Sequence, residues 1–370
     1  MSHPRAHAPL FQIQPFTTSG HNASNASPTI DLTTNEETLG PSPRVLDAYQ
    51  NFSTCLHHYP DVTAQDLRKA IARQYGIPFE NLICGNGSEE FLYALPRAFC
   101  AFGDEVIFSK GSFPVYKIAT QCVGAIPVET APQDFRIDIE AILKAITPRT
   151  KLIFIDNPGN PYSTYLRQDE IEKLIENTPP SIVIALDGAY SEYVTARDFT
   201  SGLEFVKTHP NVIILRTFSK FYGLAGLRVG WAYGSVHLIE PLLRLKAPFN
   251  VGTLAQRFAI IALQDQEHAI KVRTTNHQRR THLKNELETL GFDVPESQCN
   301  FLSPGLVSQE KIKDLVEFLF HEGISVRSLA GQGFPNRFRF SLSVEENMRT
   351  LIDAISNGLV HKKKALSHCI

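Results

Sequence analysis

The chain has 370 residues, 43% hydrophobic and 20% charged, with a formal net charge of -2. That length can bury a large core and allows two domains, while the near-neutral balance gives no bulk reason to expect nucleic acid or an anionic membrane as partner. Cys55, Cys84, Cys100, Cys122, Cys299 and Cys369 are scattered without a Cys-x-x-Cys pair, and no His-Glu-x-x-His spacing occurs, so no metal site is expected and the chain reads as cytoplasmic.

The first residues, 1–30, are rich in Ser, Asn, Pro and His and lack the apolar core of a secretory signal, so a flexible arm is expected there. No apolar stretch is long enough to span a membrane. From Leu67 the pattern alternates: "LRKAIARQYG" reads as a helix stopped by Gly76, "NLIC" as a short strand, and "SEEFLYALPRAF" as a helix interrupted by Pro96. The runs "EVIFS", "KLIFI", "IVIAL" and "NVIIL" follow as brief buried strands, each succeeded by turn residues or a polar periodic segment. Strands alternating with helices indicate an α/β fold with a mainly parallel sheet. After Trp231 the sequence turns helical, with "AQRFAIIALQDQEHAIKVRTTNHQRRTHLKNELETLG" stopped by Gly291, and "NFLSP", "ISVRS" and "RFRFSL" then suggest a smaller α+β domain. The expected organisation is an arm over 1–30, a segment over 31–60 serving the active site and the small domain, a large domain over 61–265 and a small domain over 266–370.

Ligands of open parallel sheets sit beyond the carboxyl ends of strands, and four polar groups fall there. In "ICGNGSEE", the amides of Gly87, Ser88 and Glu89 would open a helix where phosphate is favoured, although a plain turn capped by Ser88 explains the stretch equally well. In "FIDNPGNPYS", Asn157 reads as a turn residue and Asn160 as a possible donor to a ligand. In "IVIALDGAY", Asp187 is either a helix cap or a carboxylate held for a cation, with Tyr190 three residues on. In "RTFSKFYGLAGLRVG", alternation puts Thr217 and Ser219 on one face, and with Arg228 they could hold a dianionic phosphate.

Lys220 lies beside that phosphate site without being needed by it. A free lysine amine is neutral only about once in a few thousand at pH 7, so nucleophilic use demands a special setting. A Schiff base to an aldehyde cofactor is one, and pyridoxal phosphate has the matching aldehyde, phosphate, ring nitrogen and phenolic oxygen.

These residues carry a resemblance. The chain resembles the class I/II aminotransferases of pyridoxal-phosphate fold type I, and among them the histidinol-phosphate aminotransferases, through "NEETLGPSP", "HHYPD", "GNGSEE", "FRIDIEAILKAITPRTKLIFIDNPGNP", "LDGAY", "LRTFSKFYGLAGLRVGW", "PFNVGTLAQ", "ISVRS" and "RFRFSLSVEEN". The resemblance implies a large, mostly parallel sheet domain with a smaller α+β domain, and roles for particular residues. Lys220 would bind the cofactor aldehyde and move the proton; Asp187 would pair with the pyridinium nitrogen; Tyr190 and Asn160 would bond the phenolic oxygen. The phosphate would take Gly87, Ser88, Glu89, Thr217, Ser219 and Arg228, with Phe113 stacked on the ring. Arg339 would receive the substrate's acidic group, with Arg327 as a second anion reader and Asn35 and Glu36 facing the substrate. Tyr59 would reach the phosphate of the neighbouring subunit in a homodimer with shared active sites. The implied reaction passes an amine from L-histidinol phosphate to 2-oxoglutarate.

Several positions depart from the family pattern. The Asn-Glu-Asn-Pro loop is Asn35-Glu36-Glu37-Thr38, Asn-Pro-Thr-Gly is Asn160-Pro161-Tyr162-Ser163, Gly188 replaces a glutamate, and Ser343 replaces a glycine. An aromatic amino-acid aminotransferase, or a decarboxylase of a phosphorylated amino acid on the same scaffold, stays open as an alternative. A nicotinamide enzyme is disfavoured by the incomplete glycine fingerprint, and the arm is too short for a DNA-binding domain.

Overall fold

The computed structural model describes residues 29–52 and 57–366, together with Ile13. Of the arm expected over 1–30, everything but Ile13, Thr29 and Ile30 lies outside the described residues. No described helix is long and apolar enough to cross a membrane.

The short strand β1 (Ile30–Asp31) precedes the seven that form the main sheet: β2 (Leu82–Gly85), β3 (Glu105–Ser109), β4 (Ile126–Thr130), β5 (Thr150–Asp156), β6 (Val183–Asp187), β7 (Val212–Thr217) and β8 (Gly230–Gly234). Their order is β2-β8-β7-β6-β5-β3-β4, and every pairing is parallel except those of β8, which runs antiparallel to both neighbours. The four β-branched runs read from the sequence are β3, β5, β6 and β7, which lie side by side in this sheet. Because successive side chains alternate faces, Leu152 and Phe154, Val183 and Ala185, and Ile213 and Leu215 pack into one core with Phe91, Leu95, Val115 and Leu238. Ile153, Ile155, Ile184, Leu186, Val212 and Ile214 pack into the core on the other face, against Leu67, Ile71, Ile171 and Phe258. Both faces are covered by helices, which explains why these strands are apolar throughout.

A third core gathers Leu283, Leu287, Ile312, Leu315, Phe338, Phe340 and Leu351. It lies between the helices Gln266–Thr289, Gln309–His321 and Glu345–Leu366 and the strands β9 (Phe301–Leu302), β10 (Ile324–Ser325), β11 (Arg327–Ser328) and β12 (Phe338–Ser341). β12 pairs antiparallel with β9 and β11, while β1 pairs in parallel with β10. The chain therefore begins against its C-terminal elements. It then passes through Thr33–Glu36 to a helix, Pro43–Gln50, whose first turn is capped by Ser42 Oγ accepting from the Arg44 amide at 3.1 Å.

Four features differ from the sequence reading. Pro96 lies inside the helix Glu89–Phe99, which it does not interrupt. β4 was not legible, since it is an edge strand with Pro127 and half-exposed side chains, and so carries no apolar run. β8 continues the sheet past Trp231, where helix was expected to begin. The long helical stretch is two helices, Thr253–Gln264 and Gln266–Thr289, broken at Asp265. That carboxylate caps the second helix by accepting from the His268 amide at 3.2 Å and also receives the Ser42 hydroxyl. Gly76 and Gly291 do lie in the left-handed region just past their helices.

β8 brings Gly230 against the β2 turn so closely that a Cβ there would stand 2.6 Å from the Gly87 carbonyl carbon and 2.7 Å from the Arg216 oxygen. Those are backbone atoms that cannot swing away. Gly230→Ala is expected to cost roughly 1–3 kcal/mol through overpacking, read as a lowered urea midpoint. An unchanged midpoint would contradict this close approach.

Candidate active site

The alternation that builds the core also builds the site. Continuing the series 152, 154 and 183, 185 and 213, 215 by two residues puts Asp156, Asp187 and Thr217 on one sheet face, at the carboxyl ends of three adjacent strands. All three line a cavity of about 440 Å³ whose far wall is formed by Thr33–Glu36, Arg327, Gln332 and Arg339.

One end of the cavity is an anion cradle. Ser88 and Glu89 open the helix Glu89–Phe99, and the Ser88 hydroxyl makes no capping bond, so the capping reading of this serine is not what the structure contains. Gly87 has φ of 76°, and a Cβ there would meet Arg228 Nη2 at 2.7 Å. Thr217 Oγ1 donates to Ser219 Oγ at 2.9 Å, and Arg228 Nη1 donates to Ser219 Oγ at 3.0 Å. Arg228 itself turns through the left-handed region after Gly223 and the short helix Ala225–Leu227, which aims its guanidinium back at the helix start. Two hydroxyls, a guanidinium and a helix N-terminus converge here, the donor set that a phosphate dianion requires.

The middle of the cavity is lined by an amine and a carboxyl, Lys220 and Asp187. Lys220 Nζ donates to the Thr34 carbonyl at 2.8 Å, and burial, reinforced by Arg339 and Arg228, lowers its pKa to about 8. Asp187 Oδ2 receives the Tyr116 hydroxyl at 2.9 Å, whereas Oδ1 is buried with no hydrogen-bond partner. The Ala189 backbone amide also lies close to this carboxyl. Burial raises the Asp187 pKa to about 6 against the opposing pull of Tyr116, that amide and Arg216. An orphaned carboxylate oxygen facing a cavity suits a cationic N–H donor. Phe113, edge-on to Tyr116 at 6.0 Å, lies on the cavity wall, and Tyr190 lies on it too, its oxygen receiving the Asn35 amide at 3.0 Å.

The other end is cationic. Arg327 and Arg339 are direct cross-strand partners on β11 and β12, an arrangement that like charges normally avoid. Burial lowers the Arg339 pKa to about 10, with Tyr190 opposing and Arg327 adding to the fall. Arg339 Nη1 and Nη2 donate to Asn160 Oδ1 and the Thr33 carbonyl, both at 2.5 Å, leaving its buried Nε without a partner. With Oδ1 taken, the Asn160 amide nitrogen is the end left for a ligand. Glu36 also lines the cavity, while Asn35 is held by Tyr190 and by Ser341 Oγ, which accepts from its backbone amide at 2.7 Å.

The structure thus gathers Asn35, Glu36, Ser88, Glu89, Phe113, Asn160, Asp187, Tyr190, Thr217, Ser219, Lys220, Arg228, Arg327 and Arg339 around one cavity, with Gly87 directly behind Arg228. Tyr59 is not among them. It is 81% exposed and stacks on Phe249 with centroids 4.5 Å apart. Asn157 closes its own loop with Leu166 through two hydrogen bonds, as a turn residue would. Sequence reasoning missed Tyr116 and Asp156. The first has no local signal, since its partner is 71 residues away; the second stood in the quoted "FIDNPG" but was passed over beside the two asparagines.

The cradle, the lowered lysine and the orphaned Asp187 oxygen match the phosphate, aldehyde and ring nitrogen of pyridoxal phosphate, so the residues present fit that group. Comparison with known proteins agrees with this chemistry. The family described as Aminotransferase class I and II matches residues 27–355. Proteins named histidinol-phosphate aminotransferase from Rhodospirillum centenum and Nitrobacter winogradskyi are 35% and 37% identical, covering 97% and 96% of this chain and 99% and 98% of their own lengths. The crystal structure of the histidinol-phosphate aminotransferase from Sinorhizobium meliloti, in complex with pyridoxal-5'-phosphate, superimposes with a TM-score of 0.90 at 26% identity, covering 97% of this chain and 99% of that one. On the match across most of its length, the chain belongs to the class I and II aminotransferases.

Proposed function

We propose that the chain transfers an amino group from L-histidinol phosphate to 2-oxoglutarate with pyridoxal phosphate as cofactor, giving imidazole acetol phosphate and L-glutamate in histidine biosynthesis. The observation that carries this reading is the meeting in one cavity of an anion cradle, a buried amine and two facing arginines. The printed names of the full-length relatives support it.

Bound there, the cofactor supplies an aldehyde that captures amines and a ring that accepts the electron pair of a broken Cα–H bond. The chain's own residues do the rest. Ser88, Glu89, Thr217, Ser219 and Arg228 hold the phosphate, and Gly87 lets the guanidinium approach. Phe113 would cover the ring, Asp187 Oδ1 would receive the ring N–H and keep it protonated, and Tyr190 and Asn160 would bond the phenolic oxygen. Lys220 would hold the cofactor through its amine and, once freed, would serve as the base and acid that moves the substrate's α-proton. Burial lowers its pKa to about 8, so the neutral amine is far commoner than for an exposed lysine at pH 7. Arg339 and Arg327 receive the acidic end of either substrate, phosphate monoester or carboxylate, which relieves their mutual repulsion. Asn35 and Glu36 close the substrate side.

The same reading divides the chain into a large domain over 61–265 and a small one over 266–370, with the segment 31–60 contributing to the active site and the small domain. The break at Asp265, the third core and the pairing of β1 with β10 support that division. It also places the protein in the cytoplasm, supported by the free thiols of Cys84, Cys100, Cys122 and Cys299. A homodimer with shared active sites belongs to it as well. The support is exposed apolar surface: Tyr59 stacks on Phe249, itself 40% exposed, and on the helix Pro43–Gln50 Leu46 is 50% and Tyr49 62% exposed.

Two measurements follow. For the donor, kcat/KM for histidinol phosphate is expected to exceed that for phenylalanine, tyrosine and unphosphorylated histidinol; a lead of more than about tenfold for phenylalanine or tyrosine replaces the reading with an aromatic aminotransferase. For the dimer, mixing Tyr59→Phe with Lys220→Ala chains is expected to restore activity in hybrids that neither parent shows. A monomer in sedimentation at micromolar concentration would refute shared sites.

A further inference from the structure

Asp156 is a second carboxyl in the cavity, and the proposed reaction gives it no task. It ends β5 directly opposite Asp187 at the end of β6, the two being paired in register. Adjacent strands lie about 4.8 Å apart, and both side chains leave the same sheet face, so the carboxyls are close neighbours. Each residue is 5% exposed.

Their partners differ. Asp156 Oδ2 accepts from the Asn160 backbone N–H at 2.8 Å, and Oδ1 lies 3.2 Å from Ser112 Oγ, a hydroxyl able to accept a proton's hydrogen bond as well as donate one. Asp187 keeps Oδ1 open and has the Tyr116 hydroxyl on Oδ2, with the Arg216 guanidinium close enough to favour its charge. The titratable groups facing Asp156 are Asp187 from β6, Tyr116 from the helix Val115–Cys122, Tyr162 from the loop after β5 and Cys299 from the segment before β9. None of these is a cation. Two ionised carboxylates side by side in such a setting repel, and one is favoured to keep its proton.

We propose that Asp156 is a positioning residue of the ring-nitrogen site: it carries the proton of a buried aspartate pair, so that Asp187 alone presents charge to the ring N–H and Asp156 fixes Asn160 in the same act. This rests on the functional reading above for its cofactor half only. Burial raises both carboxyls above the ordinary aspartate range, and the neighbouring Asp187 adds to the rise of Asp156. A simple turn staple, accepting the Asn160 amide and nothing more, would not depend on the charge of Asp187.

The test is a carbon-13 NMR titration of protein labelled at the aspartate side-chain carboxyl, between about pH 5 and about pH 9, with and without pyridoxal 5'-phosphate. In cofactor-free protein, the carboxyl missing from Asp156→Asn is expected to titrate near neutrality, and its midpoint to fall by about one unit in Asp187→Asn. If Asp156→Asn does not fold, Asp187→Asn still reports the coupling through whichever high midpoint moves. With cofactor bound, Asp187 is expected to stay ionised throughout while the Asp156 step persists. An Asp156 midpoint in the ordinary aspartate range, or one unmoved by Asp187→Asn, overturns the pair. Failure to take up pyridoxal 5'-phosphate would instead overturn the functional reading and the cofactor half of this proposal, while the cofactor-free arm still decides the pair.

Discussion

The two-residue repeat of a pleated strand, locked into parallel register across β5, β6 and β7, is the constraint from which the site follows. It buries alternate apolar residues in two cores and then, continued by one more step, lines up Asp156, Asp187 and Thr217 at the strand ends. A slip of one residue in β6 would turn Asp187 to the other face and put Leu186 in its place. The catalytic geometry proposed here is thus held by the same packing that stabilises the sheet, and no separate scaffold is needed for it.

Burial then sets the charges. The same low-polarity surroundings that lower Lys220 and Arg339 raise Asp187 and Asp156, so acids and bases are brought toward neutrality from opposite sides. Behind this face, Arg216 alternates to the other side of β7 and pairs at 3.1 Å with Glu192, both nearly inaccessible. Gly188 makes room for it, since a Cβ there would stand 2.9 Å from Arg216 Nε. The glycine that departs from the family pattern therefore has a local reason in this chain.

Much of this was legible because the cofactor-facing residues sit in contiguous stretches at strand ends. "RTFSK" continues a visible strand, so the faces of Thr217 and Ser219 could be counted, and "LDGAY" follows a run that could only be buried. What could not be read are contacts closed by the fold alone: Tyr116 on Asp187, Asn35 on Tyr190 across 155 residues, and the arginine pair that arises from the β11–β12 register. Ser88 looked like a cap by type, yet its hydroxyl caps nothing. Edge strand β4 escaped for the opposite reason, because half-exposed residues leave no periodic trace.

The central claim is that a single buried amine, Lys220, is the one that meets the cofactor aldehyde. Incubating the protein with pyridoxal 5'-phosphate, reducing with borohydride and mapping the labelled peptide by mass spectrometry tests it directly. The account predicts one stoichiometric label on the peptide containing Lys220. A label on a different lysine, or one spread over exposed lysines, would contradict it.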